Sequence, residues 1–393
     1  MSKKIVLAYS GGLDTSVAVR WLADKGYDVV CYMADVGQGS DFKSLKKRAI
    51  SAGASKVIVE DLKKEFAKDF IFRSLKAGAV YESKYLLATA LSRPIIAKGM
   101  VETAKNQKAI AIAHGCTGKG NDQVRFEVTA MSLAPKLEII APLREWDMLT
   151  REEEMEYAKK HNISIDVTKR SPYSIDQNIW GISIECGVLE DPWNEAPESA
   201  YRMTIDPKKA SNKPAYLDIE FKEGIPIKLN GKAYDSVELI EKLNKIGGKN
   251  GIGRSDLVEN RLVGIKSREI YEAPAGWILH KAHKDIESLT LDRELLHFKE
   301  SISLKYAELI YYGLWFTPLR KSLDAFIDET QKKVSGVARV KLLKGVVDVV
   351  GRTSPNSLYK KEMATYEKGD EFDRSIASGF IKVWGMPYKD SKQ

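Results

Sequence analysis

Near the start of the chain three hydroxyls and a carboxylate surround a glycine pair: Ser10, Gly11, Gly12, Leu13, Asp14, Thr15 and Ser16. This set suits the holding of an anion, a phosphate above all. Glycines let a phosphate approach the backbone closely. If a helix starts there, its first N–H groups lack partners and the peptide dipoles put partial positive charge at that end. Ser10, Thr15 and Ser16 add side-chain donors. Asp14 is the odd member, because a carboxylate repels phosphate; it either caps the helix or helps hold a magnesium ion that travels with a nucleotide. The P-loop pattern G-x-x-x-x-G-K-[ST] is absent, and so is G-x-G-x-x-G, since Leu13 and Asp14 follow the glycines directly. The competing reading is an ordinary Gly-Gly turn that caps a helix.

The elements that must position this turn are legible around it. Ile5 to Ala8 is a short apolar run, as expected of a strand buried on both faces of a parallel sheet. From Leu13 the spacing of Leu13, Val17, Ala18, Trp21 and Leu22 is helical. Tyr27–Ala34, Lys56–Glu60, Ala109–Ala113 and Glu138–Ala141 read as further strands. Helices are expected over Leu45–Ala52, Leu62–Ala77, Ile95–Ala104 (after an interruption at Arg93-Pro94) and Gln123–Leu133. Alternating strands and helices mean a parallel sheet covered on both sides, with ligands beyond the strand carboxyl ends. Ser10 and Ala34 fall at such ends. His114 to Asp122 is a second polar loop at a strand end, with three glycines among its donors.

Thr150 and Glu153 form a capping box for a helix to Lys160, and Ser164–Val167 is strand-like. Asp191–Lys213, with Pro192, Pro197 and Pro207, reads as a connector that also covers the site. From Tyr216 the texture is α+β. A hairpin is expected before Asn230-Gly231, then helices over Ser236–Ile246, Asp285–Phe298, Leu304–Leu314 and Pro318 to about Lys333. A second hairpin follows around Lys344-Gly345. The last thirty or so residues look too thin to fold alone and are expected to be an arm that packs on another subunit.

The chain has 393 residues, 44% hydrophobic and 30% charged, with a formal charge of +8. Length points to two or three domains. No apolar run approaches the ~20 residues of a membrane helix, and no secretory leader is expected. Cys31, Cys116 and Cys186 are far apart, so zinc and disulfide readings lack support and a cytoplasmic protein is expected. Basic residues alternate with acidic ones without a basic, aromatic-interleaved block, which points to anionic small substrates rather than nucleic acid. His280 and His283 lie three apart but lack a third metal ligand nearby; they are expected to be packed or solvated, and no protein metal site is expected.

SGGLDTS resembles the pyrophosphate loop of the PP-loop ATP pyrophosphatases, which cleave ATP between the α and β phosphates. Together with HGCTGKGNDQVRFE (His114–Glu127), SPYSIDQN (Ser171–Asn178), VENRLVGIKSREIYE (Val258–Glu272) and GRTSPNSLY (Gly351–Tyr359), it makes the chain resemble the argininosuccinate synthase family nearly end to end. The resemblance implies an ATP-dependent ligase that joins citrulline to aspartate through citrullyl-AMP, releasing AMP and pyrophosphate, with Mg²⁺ on the nucleotide. It implies an α/β fold: residues 1–166 a doubly wound, adenine-nucleotide-α-hydrolase-like ATP domain, 167–362 an α+β synthetase and multimerisation domain, and 363–393 an oligomerisation arm of a homotetramer. By resemblance Ala8, Tyr9, Ser10, Gly11, Gly12, Leu13, Asp14, Thr15 and Ser16 hold the phosphates, with Ala34 and Gly115 at the nucleotide. Thr117, Asn121 and Asp122 match aspartate-binding positions. Tyr85, Asn121, Arg125, Ser174, Ser183, Glu259 and Tyr271 match citrulline-binding ones, Arg125 suiting a bidentate grip on a carboxylate. No residue is an obvious general base; Asp122 is the candidate. Ala90, Cys116 and Glu269 stand where relatives more often have Ser, Ala and Gly, and Gly181–Ile184 also departs from the usual pattern. The alternatives are another PP-loop ligase, amidating or tRNA-thiolating, and a nucleotide-sensing module.

Overall fold

The computed structural model describes residues 3–148, 150–164 and 172–389. The first half runs β1 (Lys3–Ala8), α1 (Leu13–Asp24), β2 (Tyr27–Asp35), α2 (Phe42–Ala52) and β3 (Lys56–Asp61). It continues through α3 (Lys63–Glu65), a widened π turn (Phe66–Ile71), α4 (Phe72–Ala77) and α5 (Ala88–Gln107). It closes with β4 (Ala111–Ala113), α6 (Asn121–Leu133), β5 (Glu138–Ile140), α7 (Pro142–Glu145) and α8 (Arg151–Lys160). The strands make one parallel sheet in the order β3-β2-β1-β4-β5. Alternation along the strands divides the core. Ile5, Leu7, Cys31 and Met33 pack with α1 and α2, while Val6, Val30 and Tyr32 pack on the opposite face with α5. The order reverses between β1 and β4, so the loops after them open one crevice at the strand carboxyl ends.

Two expectations for this half need correction. The helix expected over Leu62–Ala77 is broken by the π turn. The interruption at Arg93-Pro94 is absent, because Pro94 lies inside α5. A mid-helix proline costs about 3 kcal/mol, and the burial of Leu91, Ile95 and Met100 on the same helix, at roughly 1.5–3 kcal/mol each, offsets it. The capping box at Thr150 is present, Thr150 Oγ1 accepting from Glu153 N at 3.2 Å. The strand expected over Ser164–Val167 lies outside the described residues from 165 onward.

The second half contains β6 (Ser174–Gln177), β7 (Ile182–Glu185), β8 (Ala215–Lys222), β9 (Ile225–Leu229), β10 (Lys232–Ala233) and α9 (Ser236–Lys249). Next come β11 (Arg254–Asn260), β12 (Lys266–Glu272), α10 (Pro274–Thr290), α11 (Arg293–Tyr311) and α12 (Pro318–Gln331). β13 (Gly336–Leu343), β14 (Val346–Thr353), α13 (Lys361–Ala364) and α14 (Ile376–Trp384) end the chain. The strands form two antiparallel sheets, β10-β9-β8-β13-β14 and β11-β12-β7-β6. Both expected hairpins are present. The helices expected over Asp285–Phe298 and Leu304–Leu314 are corrected to α10 and α11. The chain breaks at Leu291, and Asp292 caps α11 by accepting from Leu295 N at 3.0 Å.

The connector Asp191–Lys213 does not cover the crevice. Ala200, Tyr201 and Met203 pack on Ile182, Ile184 and Ile270, the back of the four-stranded sheet, and Glu272 fastens it by accepting from the backbone N–H groups of Arg202, Met203 and Thr204. His283 is buried against Gln331, 2.8 Å away, and Glu287, so this pair is packed. No residue of α14 is buried. No helix among the described residues is long and apolar enough to cross a membrane.

Candidate active site

The loops after β1, β2 and β4 open into a cavity of about 700 Å³ whose far wall is the four-stranded sheet. At its near end Gly11 takes a left-handed φ of +81°, and a Cβ there would lie 2.2 Å from Leu45 Cδ2. Arg48 pins the turn by donating to Gly11 O at 2.7 Å. Gly12 is the extended N-cap of α1 and lends no side-chain acceptor, so the first N–H groups of the helix stay available. Ser10 Oγ lies 3.1 Å from Thr15 Oγ1. Ala8, Tyr9, Ser10, Thr15, Ala34 and Gly115 line this end.

Leu13 and Ser16 turn inward instead. Leu13 sits in the core and Ser16 Oγ is 3.0 Å from Tyr9 Oη, so they support the turn and do not face the cavity. Asp14 does not cap α1; its carboxyl meets Glu154 of α8, which burial and the charge of Asp14 push up to about 8. Among the described residues no cluster of three acidic, imidazole or thiol groups is arranged for a metal.

The far wall follows from the two-residue period of a sheet. Registers Ser174↔Glu185, Asp176↔Ser183, Tyr271↔Ser183, Leu257↔Glu269 and Glu259↔Ser267 put these residues on one face. Ile184 and Ile270 go to the other. Ser174, Ser183, Glu259 and Tyr271 line the cavity, and so do Glu185 and Glu269. Tyr85 stacks on Tyr271 with ring centres 4.0 Å apart, and its Oη accepts from Thr89 N and Ala90 N at 3.1 and 3.2 Å. Among the described residues its own hydrogen has no acceptor.

Between the two ends stands the start of α6. Thr117, Asn121, Asp122 and Arg125 all line the cavity. Asn121 Oδ1 accepts from Leu262 N and its Nδ2 donates to Tyr311 Oη, both at 2.8 Å, so most of its amide is committed to the fold. Arg125 is also partly committed. Nε donates to Tyr311 O and Nη1 to Asp122 Oδ1, both at 2.9 Å, leaving Nη2 without a partner among the described residues. A bidentate grip through Nε is therefore closed. Asp122 is held by Arg125 and by Arg93, whose Nε donates at 2.8 Å. Burial alone would raise its carboxyl, but the two arginines outweigh burial and hold it below the ordinary value. A carboxylate stabilised in this way is a poor proton acceptor. This setting favours the charged form of Asp122.

Two cavity groups, Arg93 and Arg261, and the buried Tyr311 carried no usable sequence signal. Arg93 reaches both Asp122 and Asp176 and joins α6 to β6. Arg261 pairs with Glu185 and with Glu269 at 3.1 Å. Tyr311 contacts Glu259. Each is an ordinary residue of a helix or turn until the fold brings it in; only the alternation in Ser174–Gln177 and Lys266–Glu272 hinted at a wall.

Comparison with known proteins decides what the cavity belongs to. Residues 4–164 match the arginosuccinate synthase N-terminal HUP domain and residues 173–391 the arginosuccinate synthase C-terminal domain. The chain is 56% identical to the argininosuccinate synthase of Pelodictyon phaeoclathratiforme over 392 residues, 99% of this chain and 98% of that one. It is 55% identical to that of Carboxydothermus hydrogenoformans over 390 residues, covering 99% and 97%, and 56% identical to that of Lactococcus lactis subsp. lactis over 392 residues, covering 100% and 98%.

The chain belongs to the argininosuccinate synthase family.

Membership in the argininosuccinate synthase family makes it an ATP-dependent carbon–nitrogen ligase. Of the departures noted, Cys116 and Glu269 fall at the cavity. Ala90 is buried with its N–H on Tyr85 Oη. Cys116 lines the cavity, its thiol pushed up by burial. Glu269 places an extra carboxyl on the wall.

Proposed function

We propose that the turn Ala8–Ser16 holds the triphosphate, that Ala34 and Gly115 flank the nucleoside, that Thr117, Asn121 and Asp122 receive aspartate, and that the wall of Tyr85, Asn121, Arg125, Ser174, Ser183, Glu259 and Tyr271 receives citrulline. The observation that supports this is one continuous cavity with anion-binding backbone at one end and paired carboxyl and arginine groups at the other. The ureido carbon is a poor electrophile until its oxygen becomes a phosphate ester. That oxygen attacks the α-phosphorus, pyrophosphate leaves, and the aspartate amine then displaces AMP. The protein supplies no nucleophile in this scheme. It holds substrates in line, which alone supplies roughly 7–11 kcal/mol, and meets phosphate charge with backbone N–H groups. Asp122 accepts from the aspartate ammonium, and magnesium enters on the triphosphate.

We also propose residues 1–166 as the ATP domain, 167–362 as the synthetase domain and 363–393 as an arm. The exposed Phe380, Ile381, Val383 and Trp384 of α14 support an arm that docks on other copies in a homotetramer. Free cysteines at positions 31, 116 and 186 support a reducing, cytoplasmic setting.

A single turnover with citrulline labelled with heavy oxygen at the ureido group tests the chemistry. The label is expected in AMP. AMP without label, or pyrophosphate release that needs glutamine or RNA instead of both amino acids, overturns the reading. Removal of residues 363–393 tests the arm: a shift to a smaller species in sedimentation is expected, and an unchanged assembly refutes it.

A further inference from the structure

The wall holds more acceptors than its hydrogens can serve if every carboxyl is ionised. Tyr271 Oη contacts Glu259 Oε2 and lies 2.9 Å from Glu269 Oε2. A phenol has one hydrogen and donates once. The second contact is favourable only if the other carboxyl is protonated and donates to the phenolic oxygen. Glu259 is the better-served acceptor: Tyr311 donates to its Oε1, and Asn121 Nδ2 in turn donates to Tyr311 Oη at 2.8 Å. The hydrogens therefore run Asn121 to Tyr311 to Glu259 on one side and Glu269 to Tyr271 to Glu259 on the other. Glu269 carries the proton and Glu259 the charge.

The surroundings of Glu269 agree. Facing it are Glu259 from β11, Glu185 from β7, Arg261 from the β11–β12 turn, and Tyr271 from its own strand. Burial, then the charges of Glu259 and Glu185, push its carboxyl up to about 8, although Arg261 Nη2 sits 3.1 Å away. Both carboxyls line the cavity, so a ligand reaches them without any change in the sheet.

We propose that Glu269 determines specificity in the citrulline subsite by sharing one proton with Glu259 in the empty cavity and surrendering it to solvent when an α-ammonium group docks between the two carboxyls. The inference rests on the reading that the Glu259 corner receives the amino end of citrulline. The O–H bond of Glu269 breaks, the proton leaves to buffer, and the incoming ammonium replaces it as the positive charge between Glu259 and Glu269. A ligand without an α-amino group has nothing to exchange for that proton, so the site discriminates against it.

Calorimetric titration of the full chain, saturated with α,β-methylene-ATP, tests this in buffers of different ionisation enthalpy. Citrulline is expected to release about one proton per site at pH 7, and its affinity to rise about tenfold per pH unit between pH 6 and 7. 5-Ureidopentanoate, which is citrulline without its α-amino group, is expected to release none. Glu269→Gln and Glu269→Gly are expected to bind citrulline without proton release and with a flat pH profile. Proton-neutral binding by the unmodified chain, or the same release from both variants, overturns the inference. Glu259→Gln separates this from the subsite reading. Undiminished citrulline binding by that variant refutes the placement of citrulline itself, whereas weakened binding alongside a proton-neutral unmodified chain refutes only the role of Glu269.

Discussion

At the glycine-turn end of the cavity the turn itself is one unbroken stretch, Ser10 to Ser16 running from the end of β1 into α1, steadied by Arg48 from α2. At the sheet end the contacts come from β7, β11, β12, α6 and α11, and a single bond such as Asn121 to Tyr311 spans 190 positions. The first is a local device: backbone N–H groups, whose direction follows from one glycine at positive φ. The second is a network in which Glu259, Tyr271, Tyr311, Asn121 and Arg125 hold each other. Damage to a local device stays where it is made, whereas damage to a network spreads to every group that shares a hydrogen.

Four substitutions would break or sharpen this contrast. The largest effect is expected from Glu259→Gln. It loses charged hydrogen bonds to two tyrosines and to substrate, each worth about 1.5–3 kcal/mol, so KM for citrulline is expected to rise about a hundredfold while KM for ATP stays put; steady-state kinetics with each substrate varied decides it. Equal rises in both would show that the two ends are not separable. Gly11→Ala should do the converse. Left-handed strain of about 1–3 kcal/mol and the overlap with Leu45 lower pyrophosphate release about tenfold to a hundredfold, with citrulline affinity unchanged by titration.

Asp122→Asn comes next. As an anchor, its loss raises KM for aspartate about tenfold through one charged hydrogen bond and leaves the shape of the pH–rate curve alone; a base would cost about 10²–10⁴ in kcat and remove a limb of that curve. The sign for stability follows from the same depressed carboxyl. Its contribution is complete above the ordinary value of 3.8 and disappears as the pH falls through the lower folded value, so the variant is expected to lose part of the acid-unfolding transition. The smallest effect is expected from Thr150→Ala, which removes a capping box on α8 remote from the wall. About 1 kcal/mol of stability goes, seen as a lower melting temperature with kcat intact.

The same contrast explains what could be read from the sequence. The parallel sheet was legible because each strand is a short apolar run followed by a helical period, and the glycine turn because its donors are adjacent. The hairpin around Lys344-Gly345 was legible for a similar local reason. The β11–β12 hairpin was not, since its strands carry Glu259 and Glu269, and its turn Arg261, on a face that looks solvated until the cavity forms over it. Pro94 misled because local propensity argued for a break and tertiary burial overrode it. Asp122 was legible as a polar group of its loop, but its partners were not, because nothing within a few residues reveals that Arg93 stands opposite Arg125.

One feature at the chain's end bears on how the protein should be handled. Phe380 and Trp384 of α14 are 64% and 66% exposed, so an isolated copy keeps its oiliest helix in water. If that helix finds its shelter on a neighbour, dilution removes the shelter by mass action. The melting temperature then climbs with protein concentration, and a heat-inactivation half-life measured at nanomolar enzyme understates the one that holds at micromolar.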